Sequence, residues 1–411
     1  MALIYNISIY FYHFLIRIFS LFDTKAKLWI KGRKDWKDKL QIATQDASNI
    51  YWFHAASLGE FEQGRPLIEK IKSEQKDVFI LLTFFSPSGY EIQKKYAQAD
   101  YICYLPIDTK RNASEFITIV NPKKVFFIKY EFWFNHMRLL KQNKVPLYLI
   151  SGIFREHHIF FKPYGQWFRK QLQAFTYFYV QDQKSVDKLK AIGYENTLQV
   201  GDTRFDRVVE IAEQSFENKL IEEFVSNIPC LIIGSSWPKD EEILSEYINA
   251  HPNYKYILAP HEIDEAHLET IDALITLPKQ RYSKYKIAPQ QNLSVLLIDN
   301  IGMLSFIYKY ADIAYVGGAF GTGLHNILEA AVYQIPVVFG PEYSKFSEAI
   351  ALLEENGAFS ISNYQELEKV LEELFIDESK RKTIGGNAKH FIYKSKGSVN
   401  RIYINIFSEK E

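Results

Sequence analysis

The stretch that decides the fold reads Gly317-Gly318-Ala319-Phe320-Gly321-Thr322-Gly323-Leu324-His325-Asn326-Ile327-Leu328-Glu329 and follows the apolar run 313–316. An apolar strand, a glycine-rich turn and a helix that begins near Asn326 together form an anion-binding device. Glycine lets the backbone approach a phosphate closely, and the free N–H groups of a helix N-terminus favour negative charge. We therefore predict a nucleotide site here, with Glu329 one turn into the helix and able to hold ribose hydroxyls.

The same residues also fit a purely structural pattern. Asn326 and Glu329 have the spacing of a capping box, in which two side chains close the first turn of a helix. A glycine cluster alone is a weak motif. The local sequence therefore leaves nucleotide binding and helix capping open.

The composition sets the number of domains and argues against several classes of partner. A chain of 411 residues exceeds the size at which one core usually splits, so two domains are expected. Lys and Arg number 49, and so do Asp and Glu, which argues against a nucleic-acid partner. Cys103 and Cys230 cannot form a disulfide framework, and no histidine cluster has zinc spacing, so we predict no metal site.

Residues 3–22 are mostly apolar and aromatic and lack a small-residue cleavage site, so they are not a secretory signal. A spanning helix would place His13 and Arg17 in hydrocarbon at high cost. Basic residues follow at once, namely Lys25, Lys27, Lys31, Arg33, Lys34 and Lys37. We predict that residues 1–40 form a membrane-associated helix with a basic flank, lying in or shallowly inserted into an anionic cytoplasmic leaflet. The alternative is a soluble helix packed on its own domain.

Apolar strands alternate with helical patterns along the rest of the chain, which predicts an α/β fold of two doubly wound, Rossmann-like domains. The expected strands are 51–54, 78–83, 101–105, 124–128, 147–151, 178–180, 198–200, 230–234, 256–259, 295–298, 313–316, 336–339 and 358–361. We place the first domain at 41–207, an interdomain link at 208–227, the second domain at 228–392, and a C-terminal helix at 393–411 that could cross back. Ligands are expected in a cleft at the carboxyl ends of the two sheets.

Two glutamates follow expected strand ends of the first domain. Glu60 comes just after the first strand and could act as a general base on an attacking hydroxyl, or it could close a capping box with Ser57. Glu131 follows another strand beside aromatic residues. It could face the cleft, cap the next helix or pair with Lys129.

Phosphate contacts are expected from both domains. Arg204 follows the last strand of the first domain and could neutralise a phosphate or carboxylate, or it could form an ion pair with Asp202 or Asp206. Ser235 and Ser236 form a small-residue turn at the start of the second domain that suits phosphate contact.

Taken together, these segments resemble the family of bacterial 3-deoxy-D-manno-octulosonic acid (Kdo) transferases. The likeness covers most of the chain, and six segments in the family's order are far more specific than one glycine loop. The segments are His54-Ala55-Ala56-Ser57-Leu58-Gly59-Glu60 with Arg65-Pro66, Ser86-Pro87-Ser88-Gly89-Tyr90, Tyr104-Leu105-Pro106-Ile107-Asp108, Glu131-Phe132-Trp133, Gly201-Asp202-Thr203-Arg204-Phe205-Asp206, and Gly317-Gly318 with His325-Asn326-Ile327-Leu328-Glu329.

The resemblance implies a GT-B fold and an inverting, metal-independent glycosyltransferase that moves Kdo from CMP-Kdo to a lipid A precursor, lipid IVA, in lipopolysaccharide biosynthesis. It implies that Glu60 is the catalytic base, that Glu131 and Arg204 stabilise the transition state, and that no cofactor is needed beyond the donor substrate. The implied CMP contacts are Pro260, His261, Ile301, Gly302, Met303, Asn326, Ile327, Leu328 and Glu329.

Three positions depart from the residues usual in the family. Arg204 stands where lysine is common, which keeps the charge but changes its geometry. His261 stands where arginine is usual, and a histidine would be only partly charged at neutral pH. Met303 stands where an acidic residue is usual.

The implied partners are CMP-Kdo, a lipid A precursor and the cytoplasmic face of the inner membrane, to which the protein would be peripheral or monotopic. Lys162, Arg169 and Lys170 could meet the phosphates of the acceptor, or they could form a solvated basic face. Two other functions stay open at this point. One is a GT-B enzyme that uses a UDP-sugar, as a transferase or an epimerase, and the other is a non-catalytic membrane-associated protein that binds nucleotides.

Overall fold

Apolar runs of the sequence become the strands of two parallel sheets in the computed structural model, which describes residues 1–408. The chain divides into two units, Met1–Asp206 with the segment from Gly397 onward, and Arg207–Lys396. Within the described residues each unit carries a seven-stranded sheet, which confirms the predicted α/β class. The segment 208–227, predicted as a link, lies within the second unit, and residues 409–411 of the predicted C-terminal segment fall outside the described residues.

The first sheet changes its winding direction at its centre. Its strands are β1 (Ile50–Ala55), β2 (Phe79–Phe84), β3 (Tyr101–Tyr104), β4 (Lys124–Ile128), β5 (Leu147–Gly152), β6 (Tyr177–Val180) and β7 (Thr197–Gln199). They lie in the order β3-β2-β1-β4-β5-β6-β7, and neighbouring strands are parallel. After β1 the chain continues to β2 on one side, whereas after β4 it continues to β5 on the other.

Helices precede or connect these strands, and several begin at a polar cap. They are α1 (Ala2–Phe19), α2 (Thr24–Gly32), α3 (Trp36–Thr44), α4 (Leu58–Glu74), α5 (Pro87–Gln93), α6 (Lys110–Val120), α7 (Phe134–Gln142), α8 (Gln166–Gln171) and α9 (Gln183–Ala191), with 3-10 turns at Ile159–Phe161, Pro163–Gly165 and Leu172–Ala174. Asp23, Thr109 and Asp182 accept backbone N–H groups at the starts of α2, α6 and α9. These bonds satisfy donors that a helix leaves unpaired.

Successive residues of β1 enter cores on opposite faces of the first sheet. Trp52 packs against Phe116 in one core, with ring centroids 4.7 Å apart. Phe53 stacks on Phe126 in the other core, at 4.3 Å. A parallel strand covered on both faces needs apolar residues at every position, which is why the continuous apolar run predicted it.

The second sheet repeats this plan. Its strands are β8 (Cys230–Ser236), β9 (Lys255–Pro260), β10 (Lys279–Arg281), β11 (Val295–Leu297), β12 (Ile313–Val316), β13 (Val337–Phe339) and β14 (Ala358–Ser360). They lie in the order β10-β11-β9-β8-β12-β13-β14, with parallel neighbours, so the winding direction changes between β8 and β12. The sequence prediction missed β10, because a short edge strand with polar residues lacks an apolar run.

The helices from the unit boundary to Lys396 are α10 (Arg204–Glu213), α11 (Lys219–Val225), α12 (Pro238–Ala250), α13 (Glu265–Leu274), α14 (Tyr282–Tyr285), α15 (Leu304–Ile307), α16 (Leu328–Ala331), α17 (Ser347–Glu354), α18 (Tyr364–Ile376) and α19 (Glu378–Ser395), with a 3-10 turn at Tyr308–Tyr310. A last helix, α20 (Ser398–Phe407), belongs to the first unit. The C-terminal helix predicted at 393–411 corresponds to α20, whereas residues 393–395 form the end of α19.

One carboxylate anchors α20 to the first unit. Asp206 accepts the backbone N–H groups of Gly397, Ser398 and Val399, at 2.8, 3.0 and 3.4 Å. The Ser398 hydroxyl donates to the carbonyl of Val200 at 2.7 Å. The first turn of α20 therefore has acceptors for its unpaired donors, and the carboxylate lies at the positive end of the helix.

The apolar helix α1 is docked on the first unit by one stripe of residues. The Tyr5 hydroxyl donates to the buried Asp108 at 2.5 Å, and Asn135 donates to the side chain of Asn6 at 3.0 Å. Its remaining surface exposes large apolar side chains, namely Leu3, Ile4, Ile7, Tyr10, Phe11, Phe14, Ile18 and Phe19. Among residues 1–408, α1 is the helix whose length and composition would suffice to cross a membrane. The predicted N-terminal apolar helix is present.

We expect Asp206→Ala to lower the free energy of unfolding by about 1–3 kcal/mol, because it leaves buried N–H groups at the start of α20 without an acceptor. Hydrogen exchange along α20 should accelerate in the same variant. Urea unfolding and exchange mass spectrometry measure both effects. Glu242→Ala removes an exposed carboxylate on α12 and serves as the control. Equal losses in the two variants would show that Asp206 does not anchor the helix.

Candidate active site

The carboxyl ends of β1 and β4 lie side by side where the winding direction of the first sheet changes. Connections leave such a point in opposite directions and leave a crevice beyond the strand ends, where ligands bind in open α/β sheets. Glu60 lies in the first turn of α4, after β1, and Glu131 follows β4. The topology therefore brings both predicted glutamates to the crevice of the first unit.

Glu131 is a buried carboxylate held by two aromatic N–H groups. Its Oε2 lies 2.9 Å from His54 Nε2 and 2.6 Å from Trp133 Nε1. Because an ionised carboxylate only accepts, both rings donate to it. His54 Nδ1 lies 2.8 Å from the hydroxyl and 3.1 Å from the carbonyl of Thr83, and Trp133 Nε1 also lies 2.8 Å from His54 Nε2. The network offsets the cost of burying Glu131, and this carboxylate does not cap α7.

Glu60 is half-buried and hydrogen-bonded to Ser57, whose hydroxyl donates to Glu60 Oε2. In a capping box the Ser57 hydroxyl would instead bond the backbone of α4. Here the Ser57 hydroxyl donates to the carboxylate of Glu60 and holds that carboxylate at the start of a 17-residue helix. A carboxylate in this position can accept a proton as a general base.

Tyr130 is a site residue that the sequence reasoning missed. Burial raises the pKa of its hydroxyl, the charges of Glu60 and Asp182 raise it further, and Arg155 and Arg204 lower it. The net effect is a raised pKa of the Tyr130 hydroxyl. Its position directly before Glu131, at the end of β4, was the available signal.

The backbone just before Tyr130 is strained. Lys129 has a φ of 66°, in the left-handed region that non-glycine residues rarely adopt. Such strain persists only where the surrounding structure fixes it, and it is frequent at functional sites. It turns the chain sharply after β4 and sets the direction of the Tyr130-Glu131 pair.

Arg204 forms the ion pair that the sequence left open as its alternative role. Its guanidinium donates from Nε and Nη2 to Asp202 Oδ2, at 2.9 and 2.7 Å, and its backbone N–H donates to Asp202 Oδ1 at 2.9 Å. Asp206 is instead engaged with α20. Asp202 therefore fixes the side chain of Arg204 within the first unit.

In the second unit, the predicted nucleotide residues follow the carboxyl ends of four neighbouring strands. The strands are β11, β9, β8 and β12, in that spatial order. The residues that follow them are Ile301, Gly302 and Met303 after β11, Pro260 and His261 at the end of β9, Ser235 and Ser236 at the end of β8, and Asn326, Ile327, Leu328 and Glu329 after β12. All of the predicted nucleotide residues therefore follow the carboxyl ends of the strands, on one side of the second sheet.

The glycine-rich turn is closed by its own hydrogen bonds. Gly317 donates its N–H to the carbonyl of Gly234 at 2.9 Å, Gly323 donates to Gly318 at 2.8 Å, and Gly318 donates to the buried Asp240 at 2.9 Å. These amides already have acceptors, so they are not the open phosphate cradle that the sequence suggested. Gly318, Gly321 and Gly323 have positive φ values of 96°, 126° and 109°, which explains why the turn needs glycine.

The helix expected from Asn326 is a single turn that begins later, at Leu328. So short a helix has little macrodipole, and the predicted anion site cannot depend on it. Asn326 donates to Glu329 Oε1 at 2.9 Å and accepts from the N–H of Leu328 at 3.3 Å, so it holds Glu329 and the turn together. Ile327 and Leu328 are fully buried. They can therefore offer a ligand only backbone atoms.

The two serines of the β8 turn differ in their availability. Ser236 is buried and donates to Glu241 Oε1 at 2.8 Å, and Glu241 in turn accepts from His267 at 2.8 Å. Its hydroxyl is therefore part of a structural network and does not offer the predicted phosphate contact. Ser235 has a φ of 52° and turns the chain at the strand end.

The loop after β11 presents the remaining predicted contacts. Ile301 is largely exposed, and Gly302 has a positive φ of 96°. The Met303 sulfur accepts from the side-chain amide of Asn300 at 2.9 Å. The sulfur stands where the family usually carries an acidic group, so it supplies a weak acceptor and no charge.

Three rings stack beside the glycine turn, and two of them were not predicted as site residues. Trp237 stacks on His261 with centroids 4.8 Å apart, and His261 lies 4.4 Å from His325. Trp237 Nε1 donates to His325 Nε2 at 2.9 Å. The neutral His325 must then carry its proton on Nδ1. Burial, followed by the charge of His261, lowers the pKa of His325 to about 4.

Two surface groups of three potential metal ligands occur among the described residues, namely His251 with Glu368 and Glu372, and Glu262 with Asp264 and His267. Both ring nitrogens of His267 already have partners, Glu241 and the carbonyl of Glu262. Exposed acidic groups of this kind often bind no ion, so we assign no site to them.

We expect nitrogen NMR of His325 to show a neutral ring with its proton on Nδ1 between pH 6 and 8, titrating near pH 4 and not near the ordinary value of about 6.5. Trp237→Phe keeps a stacked ring but removes the N–H donor, so the pKa should rise. Trp133→Phe in the first unit is the matched control and should leave the His325 signal unchanged. A protonated His325 at pH 7 would contradict this assignment.

Comparison with known proteins identifies the family. Residues 34–207 match the family described as 3-deoxy-D-manno-octulosonic-acid transferase (kdotransferase). The 3-deoxy-D-manno-octulosonic acid transferase of Aquifex aeolicus is 30% identical over 340 residues, which cover 80% of this chain and 87% of that protein. The enzyme of the same name from Rickettsia prowazekii is 27% identical over 387 residues, which cover 90% and 82%.

Solved structures of low sequence identity share the fold. The UDP-GlcNAc 2-epimerase of Neisseria meningitidis, solved with UDP-GlcNAc, aligns with a TM-score of 0.58 over 85% of this chain and 99% of that chain, at 14% identity. MurG of Acinetobacter baumannii aligns with a TM-score of 0.54 over 88% and 100%, at 12% identity. These likenesses concern the fold alone and confirm the GT-B class. The identity and coverage of the Aquifex relative show that this chain belongs to the 3-deoxy-D-manno-octulosonic-acid transferase family and is a glycosyltransferase.

Proposed function

We propose that this glycosyltransferase moves Kdo from CMP-Kdo to a sugar hydroxyl of the lipid A precursor lipid IVA, at the cytoplasmic face of the inner membrane. The observation that supports it most directly is the position of Glu60. It is a carboxylate at a helix start after β1, and the buried carboxylate Glu131 follows the neighbouring strand β4. The named relatives are Kdo transferases, which supports Kdo as the sugar that this chain transfers.

The chemistry is a single displacement with inversion. Glu60 takes the proton of the acceptor hydroxyl, and the hydroxyl oxygen forms a bond to the anomeric carbon of Kdo. The bond from that carbon to the phosphate oxygen breaks, its electron pair stays on the phosphate, and CMP leaves. Arg204, held by Asp202, offers positive charge near the crevice, and Glu131 stabilises positive charge that develops on the sugar. No step of this scheme requires a metal or a further cofactor.

The second unit supplies the donor-binding groups in this proposal. Pro260, His261, Asn326 and Glu329 lie at one edge of its sheet, together with the stacked rings of Trp237 and His325. Because the amides of Gly317, Gly318 and Gly323 are engaged internally, we assign phosphate contact to ring N–H groups, including the Nδ1–H of His325, in place of a helix N-terminus.

The helix α1 supplies the membrane contact. One stripe is hydrogen-bonded to the first unit through Tyr5 and Asn6, and its other faces expose apolar side chains. A helix that is docked on one side and apolar on the others suits a position in the interface of a bilayer. The basic residues that follow it, from Lys25 to Lys37, suit the anionic lipids of the cytoplasmic leaflet.

We expect Glu60→Gln to lower the rate of Kdo transfer by about 10²-fold or more, because an amide cannot accept the proton. CMP binding, measured by calorimetry, should be unchanged. Transfer is read out as a mass increase of a tetra-acylated lipid A precursor incubated with CMP-Kdo.

Two variants control this experiment. Glu62→Gln removes a carboxylate two residues along α4 and should retain transfer. Ser57→Ala removes the hydrogen bond to Glu60 but keeps its carboxylate, so transfer should fall less than tenfold. If Glu60→Gln keeps its activity, or loses CMP binding and thermal stability together, Glu60 is not the base. Thermal protection by UDP in place of CMP would point to a UDP-sugar enzyme instead.

A further inference from the structure

A cavity of about 440 Å³ lies in the first unit between α1, the residues that follow β4, and the segment around the first 3-10 turn. Its apolar lining comes from Ile9, Phe132, Phe134, Ile159, Phe160 and Phe168. The volume is that of a small-molecule site, and such sites are mostly apolar with few polar groups. We call it the α1 pocket.

Three polar side chains of the pocket wall, Tyr5, Glu131 and Trp133, are already engaged within the protein. The Tyr5 hydroxyl donates to Asp108 at 2.5 Å, and Trp133 Nε1 donates to Glu131 at 2.6 Å. Glu131 accepts from His54 as well. A polar ligand would therefore compete with existing hydrogen bonds, whereas an apolar ligand would only displace water from aromatic and aliphatic surface.

Hydrogen bonds from Arg169 hold the backbone of one pocket wall in place. Arg169, which the sequence offered as a contact for acceptor phosphates, donates to the carbonyls of Phe160 and Lys162, at 2.9 and 3.3 Å. It therefore holds the segment that forms the far wall of the pocket. Phe132 and Phe160 meet edge to face, with centroids 4.8 Å apart, and support the same wall.

The helix α1 separates the pocket from an exposed apolar surface. Tyr5 and Ile9 line the pocket, whereas Leu3, Ile7 and Phe11 on the same helix are exposed. If the exposed faces lie in hydrocarbon, the pocket opens beside the bilayer, and an alkyl chain can enter it without crossing water. This continuity selects a lipid chain over a water-soluble apolar ligand.

The opposite wall of the pocket borders the catalytic crevice. Tyr130 and Glu131 line the pocket and follow β4, and the neighbouring strand β1 leads into α4, whose first turn carries Glu60. A molecule with one alkyl chain in the pocket would therefore have its polar headgroup near the charged groups of the crevice.

We propose that the α1 pocket binds one alkyl chain of the acylated acceptor and thereby places the acceptor sugar at Glu60. The inference rests on the proposed function for the identity of the acceptor. It assigns α1 a second role besides membrane contact, as one wall of a substrate site.

The test fills the pocket without adding charge. Ile9→Trp replaces an aliphatic side chain on the pocket side of α1 with the larger indole ring. Ile7→Trp makes the same exchange on the exposed side of the helix. Acceptor KM, donor KM and kcat are measured in phospholipid vesicles for acceptors of decreasing chain length. In the wild-type protein, each methylene that leaves the pocket should weaken acceptor binding up to about fourfold.

We expect Ile9→Trp to raise the acceptor KM at least tenfold and to flatten its dependence on chain length, with the donor KM unchanged. Ile7→Trp should resemble the wild type, and both variants should still bind vesicles. Equal acceptor KM values in the two variants, with transfer intact, would overturn the pocket assignment and leave the proposed function standing.

A second measurement does not depend on transfer. A phospholipid with a photoreactive group at the end of one acyl chain is cross-linked to the full chain in vesicles, and the labelled peptides are mapped. In the wild-type chain, the label should attach to the segment that contains Ile159, Phe160 and Phe168, and in Ile9→Trp this labelling should be lost. This result supports the proposal even if no Kdo is transferred. Labelling confined to the exposed face of α1, or cross-links between two copies of the chain, would overturn it.

Discussion

The reversal of winding in each parallel sheet is the constraint on which the site depends. Parallel strands need a helix between them, and helices cover the carboxyl ends of most strands. Where the winding direction changes, two neighbouring strands send their connections apart, and their ends stay accessible. The first unit has such a point between β1 and β4, and the second has one between β8 and β12. Glu60 and Glu131 follow the first pair of strands, and Trp237 and the glycine turn follow the second.

Buried carboxylates then fix the loops at these points. Glu131 receives the N–H groups of His54 and Trp133, and Asp240 receives those of Trp237 and Gly318 together with the hydroxyl of Tyr315. A buried carboxylate without such donors is costly, so each of them specifies the positions of its partners. This explains why the glycine turn is closed by bonds to the interior of the second unit.

Much of the fold could be predicted from the sequence because its causes are local. Continuous apolar runs predicted strands that are covered on both faces, whereas β10 was missed because its three polar residues lie at a sheet edge. Glu60 and Glu131 were predicted from their place after strand ends. Tyr130, Trp237 and Asp240 were missed because their roles arise from contacts between segments far apart in the chain.

The family resemblance supplied what local patterns could not, namely the donor and the acceptor class. The structure in turn corrected readings that depended on side-chain partners. Arg204 is paired with Asp202, Arg169 holds backbone carbonyls, and Ser236 bonds Glu241. For Arg169 and Ser236 a nearer partner within the fold takes the place of the predicted ligand contact, whereas Asp202 holds the guanidinium of Arg204 in the position that we propose for the reaction.

We propose that both winding changes take part in one reaction. The ends of β1 and β4 in the first unit carry the base, and the ends of β8 and β12 in the second unit carry the nucleotide site for Kdo transfer. The most direct measurement incubates the purified full chain with CMP-Kdo and a tetra-acylated lipid A precursor in the presence of EDTA, and reads lipid masses and released CMP together. We expect Kdo-bearing lipid and an equal amount of CMP, with or without the chelator. Intact CMP binding with no Kdo-bearing lipid, or transfer that stops in EDTA, would contradict it.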